Sequence, residues 1–197
     1  HTHRALGAAA LNWIIMRGIN LASLYLTRSF ITSTAEQHSI RDAVASLALN
    51  GRLDKLETII LNRCYCIKDA DFSAILSKCY RSVKSIDTRE CSLSESAAVH
   101  IKRCAKLEAF APKGNVSAAG MAEIFQTCRK LLKLDLATFG GRLTDEVVQS
   151  MAAHCPLLEN LSVCGCGAVS DESIRIVADS FPLLQWLDLS FTAITDE

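Results

Sequence analysis

The residues best equipped for chemistry in this 197-residue chain are its nine cysteines. Three of them fall in one run, CPLLENLSVCGCGAVSDESI, from Cys155 to Ile174. Thiols this dense can hold a metal, close disulfides or supply a nucleophile. The pairs Cys64–Cys66 and Cys164–Cys166 leave a single residue between the sulfurs, whereas common zinc motifs leave about two to four. They also stand too far apart in the repeat pattern to share an ion, so no metal site is expected. His154 adjoins Cys155, but neighbours on a helix point in different directions. His100 and Cys104 are four apart and could face each other, so a thiol-dependent enzyme would draw on Cys104 or Cys164. The acidic pairs Asp145–Glu146 and Asp171–Glu172 are candidates for acid–base work, yet their recurrence at one repeat position makes them helix-start residues. There is no Gly-x-x-x-x-Gly-Lys-Ser/Thr phosphate loop, and FGGR at 139–142 reads as a turn. No cofactor is expected.

An odd number of scattered cysteines suits a reducing compartment, where the thiol serves as a small buried hydrophobe. The expected location is intracellular, in cytoplasm or nucleus, with an organelle interior as the alternative. Lysine plus arginine equals aspartate plus glutamate at 21 each, giving zero net charge. This lacks the cationic excess that phosphate binding needs, so no nucleic-acid partner is expected. No apolar run reaches the length of a membrane span.

The elements that position the thiols come from an internal repeat. Aligned on their leucines, LETIILNRC at Leu56, VKSIDTREC at Val83, LEAFAPKGN at Leu107, LLKLDLATF at Leu131, LENLSVCGC at Leu158 and LQWLDLSFT at Leu184 share one form. The shared form is apolar-x-x-apolar-x-apolar-x-x, followed by Cys, Asn, Phe or Thr, with Pro112 breaking the pattern. Their starts are 24 to 27 residues apart. Between them lie stretches with apolar residues at three- and four-residue spacing, among them KDADFSAILSKC, SLSESAAVHIKRC, LTDEVVQSMAAHC and VSDESIRIVADSF. Thr144 and Ser170 precede acids in the manner of helix starts. Alternating strand and helix at this period predicts an α/β solenoid, with parallel strands on the inner, concave side and wider helices outside. Cys64, Cys91 and Cys166 close the strand motif, and Cys79, Cys104, Cys128 and Cys155 sit at helix ends. Only Cys66 and Cys164 fall outside the register.

These segments resemble the cysteine-containing leucine-rich-repeat family found in F-box/leucine-rich-repeat proteins and, more broadly, the ribonuclease-inhibitor-like superfamily. CPLLENLSVCGCGAVSDESIRIVADSFPLLQWLDLS carries the likeness most fully. The resemblance spans roughly residues 53 to 197 and departs at FAPKGN. It implies a leucine-rich-repeat horseshoe and a non-catalytic protein-interaction role, and within that role it suggests the substrate-recognition module of an F-box type ubiquitin ligase.

Within such a fold the strand residues between the core leucines face the concave side. One column reads Tyr25, Ile60, Asp87, Ala111, Asp135, Ser162 and Asp188. A second reads Thr27, Asn62, Arg89, Lys113, Ala137, Cys164 and Ser190, and a third holds Thr58, Ser85, Ala109, Lys133, Asn160 and Trp186. The candidate partner-binding residues are Tyr25, Asn62, Arg63, Asp87, Arg89, Lys113, Lys133, Asp135, Trp186, Asp188 and Phe191. Trp186 near Phe191 is the anchor type that dominates interface energetics, and the charges form a mixed lane suited to a protein. Cys164 is the thiol expected to face the groove.

Residues 1–52 read as an N-terminal helical cap with an irregular first repeat around Leu21, Leu24 and Leu26. Residues 53–197 read as the leucine-rich domain, with about six strand motifs and an incomplete last repeat. The final motif stops where a helix is due, so the open C-terminal end is a second expected partner surface, and membership of a larger complex is expected. The alternative to a ligase module is an architectural subunit of a large cytoskeletal, ciliary or mitochondrial assembly; the opposing class is the thiol-dependent enzyme.

Overall fold

The structure is a computed structural model that describes residues 13, 17, 19–26, 34–91, 93–112, 115–137 and 139–195. The expected apolar cap helix before residue 13 lies outside the described residues, as do Thr27 and Lys113.

Each leucine motif forms a three-residue strand beginning two positions after its first apolar residue. The strands are β1 (Ser23–Tyr25), β2 (Thr58–Ile60), β3 (Ser85–Asp87), β4 (Ala109–Ala111), β5 (Lys133–Asp135), β6 (Asn160–Ser162) and β7 (Trp186–Asp188). They make a single parallel sheet in chain order. The columns are in register: Ser23, Thr58, Ser85, Ala109, Lys133, Asn160 and Trp186 stand side by side. Crossovers run through α1 (Thr34–Asn50), α2 (Asp69–Cys79), α3 (Ala98–Ile101), α4 (Ala118–Thr127), α5 (Asp145–His154) and α6 (Asp171–Ser180). The helices pack on their neighbours, α1 on α2 and α5 between α4 and α6. The result is a leucine-rich-repeat solenoid with strands on the concave side and helices on the convex side.

The stretch SLSESAAVHIKRC forms less helix than its periodicity predicts: a 3-10 turn at Glu95–Ala97 and then the single turn of α3. The start of this segment is tied to the preceding coil: the carboxylate of Asp69 accepts from the Ser94 N–H and hydroxyl and from the Ser96 hydroxyl.

The core is a stack of identical positions. The central residues of the first six strands, Leu24, Ile59, Ile86, Phe110, Leu134 and Leu161, are each at most 2% exposed. Each is covered by the same residue of the next coil, which is how a solenoid buries apolar surface that no single repeat could hide. Leu187 of β7 is 36% exposed.

Pro112 follows β4 at the buried position held by Leu61, Leu136 and Val163 in other coils. Those residues donate their N–H to Asp87, Ser162 and Asp188 carbonyls of the next strand. Proline has no N–H to give Asp135. The β4–β5 pairing accordingly stops after Ala109–Lys133 and Phe110–Leu134, one pair short of every other strand pair.

Truncating the ladder in its middle differs from truncating it at β7. Leu161→Ala is expected to cost about 2–5 kcal/mol, the usual range for a buried leucine, and Leu187→Ala under about 2 kcal/mol because less surface is buried there. Denaturant unfolding of both variants checks this, and equal losses would contradict the coil-on-coil account of the core.

Candidate protein-binding groove

The concave face is built by strand alternation. With central residues pointing into the core, their neighbours on each strand point out, and from β2 to β7 they floor a groove of about 640 Å³. Six of the candidate residues line it: Asp87, Arg89, Lys133, Asp135, Trp186 and Asp188. Cys164 lines it as well. Tyr25 is exposed on β1, Asn62 and Arg63 lie at the turn after β2, and Phe191 is at the turn after β7; these four are not part of the lining.

The groove aspartates have a local job that sequence reasoning missed. Asp87, Asp135 and Asp188 each end a strand and accept from the backbone N–H two residues on, at Arg89, Ala137 and Ser190, each at 3.0 Å. Short polar side chains bond in this way to turn the chain, and Ser162 does the same for Cys164 at 3.5 Å. The next residue enters the left-handed region, at Arg63 (φ 62°), Glu90 (φ 53°), Gly165 (φ 73°) and Phe191 (φ 57°). A bulky aromatic is an unusual occupant of that region, and the Phe191 residue is 87% exposed. Along the same rim, toward the N-terminal coils, Arg63 pairs with Glu90 of the next coil at 3.0 Å.

Arg89 is the central charge of the groove. Its Nε and Nη2 donate to the two oxygens of Asp87 at 3.1 and 2.7 Å, and its Nη1 donates to Asp135 two strands away at 2.6 Å. The small Ala111 lies between, on β4, so the guanidinium can cross that strand. Hydrogen bonding to Asp87 holds the Arg89 pKa above its ordinary value. No described basic side chain pairs with Asp188, whose carboxyl is held below the usual range by hydrogen bonds from Ser190 and then Ser162.

Seven of the nine thiols are buried within the frame of the solenoid. None of the nine forms a disulfide, and among the described residues no cluster of His, Cys, Asp and Glu is placed to hold a metal. Cys64, Cys91 and Cys166 turn inward and donate to the carbonyls of Leu26, Leu61 and Leu136 in the preceding coil. Asn115 holds the equivalent place after β4 and donates to Leu93. Cys79, Cys104, Cys128 and Cys155 are buried at helix ends. Desolvation pushes Cys79, Cys128 and Cys155 up to about 12, and Cys64 and Cys104 also well upward. The His100 ring meets the Ser73 hydroxyl, with Nε2 at 2.9 Å, while the Cys104 thiol points to the His100 carbonyl at 3.9 Å. His154 bonds to the Ser150 carbonyl. Neither histidine engages a thiol as a base.

The paired acids begin helices, with Ser170 capping α6 through its hydroxyl. They also tie coils together. Asp145 accepts from the Ser170 and Ser173 hydroxyls, and Asp171 accepts from the Thr195 N–H and hydroxyl at 3.0 and 2.8 Å.

No family model matches this chain. Among solved structures, it is similar to a chain of the crystal structure of the Rad7 and Elc1 complex in yeast, with a TM-score of 0.56 and 14% sequence identity. The match covers 93% of this chain and 60% of that one. This likeness is one of fold. Among the described residues no helix is long and apolar enough to cross a membrane.

Two measurements follow from these environments. A thiol reagent applied to the native protein should modify the half-exposed Cys66 and Cys164 first, with the seven buried cysteines protected. A site reacting faster than free cysteine would contradict the structural assignment. Asp171 and Asp188 both have depressed pKa values, Asp171 through the Thr195 N–H and hydroxyl. Their contribution is therefore complete above the unfolded value of about 3.9 and is lost as pH falls through the lower folded values. The amide resonances of Ser190 and Thr195 should titrate with midpoints below about 3.9; midpoints at or above it would rule these bonds out.

Proposed function

We propose that the chain is a protein-interaction module that docks a partner polypeptide on its concave face. The observation carrying this is Trp186, an indole left 50% exposed at one end of a groove lined by apolar residues such as Ile60, Ala109 and Ala137 together with the charged Asp87, Arg89, Lys133, Asp135 and Asp188. A half-exposed tryptophan on a rigid sheet, in a groove that mixes apolar and charged groups, has the composition of an interface anchor. The groove offers binding groups, and no nucleophile–base pair lines it among the described residues.

Within that class, the family resemblance favours the substrate-recognition module of an F-box type ubiquitin ligase. The solved chain of similar fold belongs to a two-protein complex, which is consistent with an interaction role. The alternative within the class is an architectural role in a larger assembly. An intracellular, reducing location fits the abundance of buried thiols.

Affinity capture with the full-length protein, followed by cross-linking, separates these roles. Groove docking predicts cross-links at Lys133 and a loss of roughly 2 kcal/mol or more in partner binding for Trp186→Ala. Partner binding that is indifferent to Trp186→Ala would overturn it. A ligase core among the captured proteins supports the recognition role. A fixed particle cross-linked through the β7 coil supports the architectural one.

A further inference from the structure

The concave face contains one occupied arginine cradle and a second of the same design that is empty of any described cation. In the occupied one, Asp87 on β3 and Asp135 on β5 flank the small Ala111 on β4, and Arg89 spans them. Arg89 comes from the position two residues after Asp87. In the second, Asp135 on β5 and Asp188 on β7 flank the small Ser162 on β6, again one strand apart on each side. Alternate strands put both pairs ~9–10 Å apart along the sheet. The position two residues after Asp135 is Ala137, which has no charge to contribute.

We propose that this second cradle receives an arginine side chain from the partner polypeptide, its guanidinium bridging Asp135 and Asp188 over Ser162 as Arg89 bridges Asp87 and Asp135 over Ala111. This deepens the concave-face docking reading and rests on it. The acceptor capacity is there. A carboxylate offers about four lone-pair sites, and Asp135 uses one oxygen for Ala137 N–H and the other for Arg89. Asp188 accepts from the Ser190 N–H and side chain and makes a longer 3.5 Å contact to the Ser162 hydroxyl, which leaves lone-pair sites open. The proposal has support besides the carboxylates. Trp186 is two residues before Asp188 on the same strand, so its side chain shares the concave side, and it lines the same groove half-exposed. An indole face beside a carboxylate favours a planar cation, because guanidinium stacks on aromatics as well as pairing with acids. The local charge agrees: Asp87, Asp135 and Asp188 outnumber Arg89 and Lys133 on the groove floor.

The probe is the blocked tripeptide acetyl-Gly-Arg-Gly-amide, followed by NMR at the Ala137 and Ser190 amides and the Trp186 indole. Saturable shifts with Kd of ~1 mM are expected, absent with the uncharged citrulline analogue and weaker with the lysine one. Asp188→Asn keeps an oxygen for the Ser190 N–H while removing the charge, and should weaken binding about tenfold or more. Ala137→Arg places a guanidinium where Arg89 stands relative to Asp87. It should fill the cradle internally, abolish the tripeptide shifts and raise Tm by about 1–3 °C. Identical shifts from arginine and citrulline, or full binding by Asp188→Asn, would overturn the inference. The docking reading fails separately: a partner that needs Trp186 yet ignores both Asp188→Asn and Ala137→Arg leaves docking intact and removes the arginine. A partner indifferent to Trp186 removes both.

Discussion

Every coil of this protein has an apolar face that only the next coil can cover, and the sheet spacing of about 4.8 Å sets how closely that cover must fit. This constraint explains why the central strand position varies so little, between Leu, Ile and Phe. It explains why polar groups near the core are satisfied by neighbouring windings. Cys64, Cys91 and Cys166 reach back to carbonyls of the coil before, Asp69, Asp145 and Asp171 reach forward to hydroxyls of the coil after. The same sheet, turned over, is the concave face, so the geometry that closes the core also fixes the spacing of Asp87, Asp135 and Asp188.

The abundance of cysteine follows from this architecture. At the end of the strand motif most coils, though not the one with Phe139, place a side chain small enough to turn inward and able to donate to a carbonyl. A thiol does both weakly while counting as hydrophobe; Asn115 donates more strongly in the same role. Burial then suppresses ionisation, which keeps these sulfurs inert as nucleophiles. The dense thiols of the 155–174 run are parts of the frame, and Cys164 stands apart because its place in the register is on the groove side.

Much of the fold was legible because the leucine period and the strand alternation are both rigid numerical patterns. Leu56, Val83, Leu107, Leu131, Leu158 and Leu184 each precede a strand by two residues, and the column from Thr58 to Trp186 comes out in register. The bonds between coils were less legible. Nothing in the sequence around Asp87 says that Arg89 folds back on it and then crosses to Asp135, because that depends on Ala111 being small and on β4 lying between. The turn-forming role of the aspartates was missed although its signal was present: an acid recurring at the last strand position, just before the turn. The bond from Asp69 to Ser94 and Ser96 was not legible for a related reason, since its two sides belong to different coils.

Pro112 has a consequence best put in mechanical language. A stack of windings behaves as a spring whose stiffness comes from the rungs between turns. Between β4 and β5 one rung is missing, because proline has no hydrogen to supply it. Bending or stretching therefore concentrates at that joint, making it the compliant point of an otherwise uniform coil. Arg89 is fastened on both sides of it, to Asp87 before and Asp135 after. It acts as a strap across the weakest turn, limiting how far the groove can flatten or spread under load.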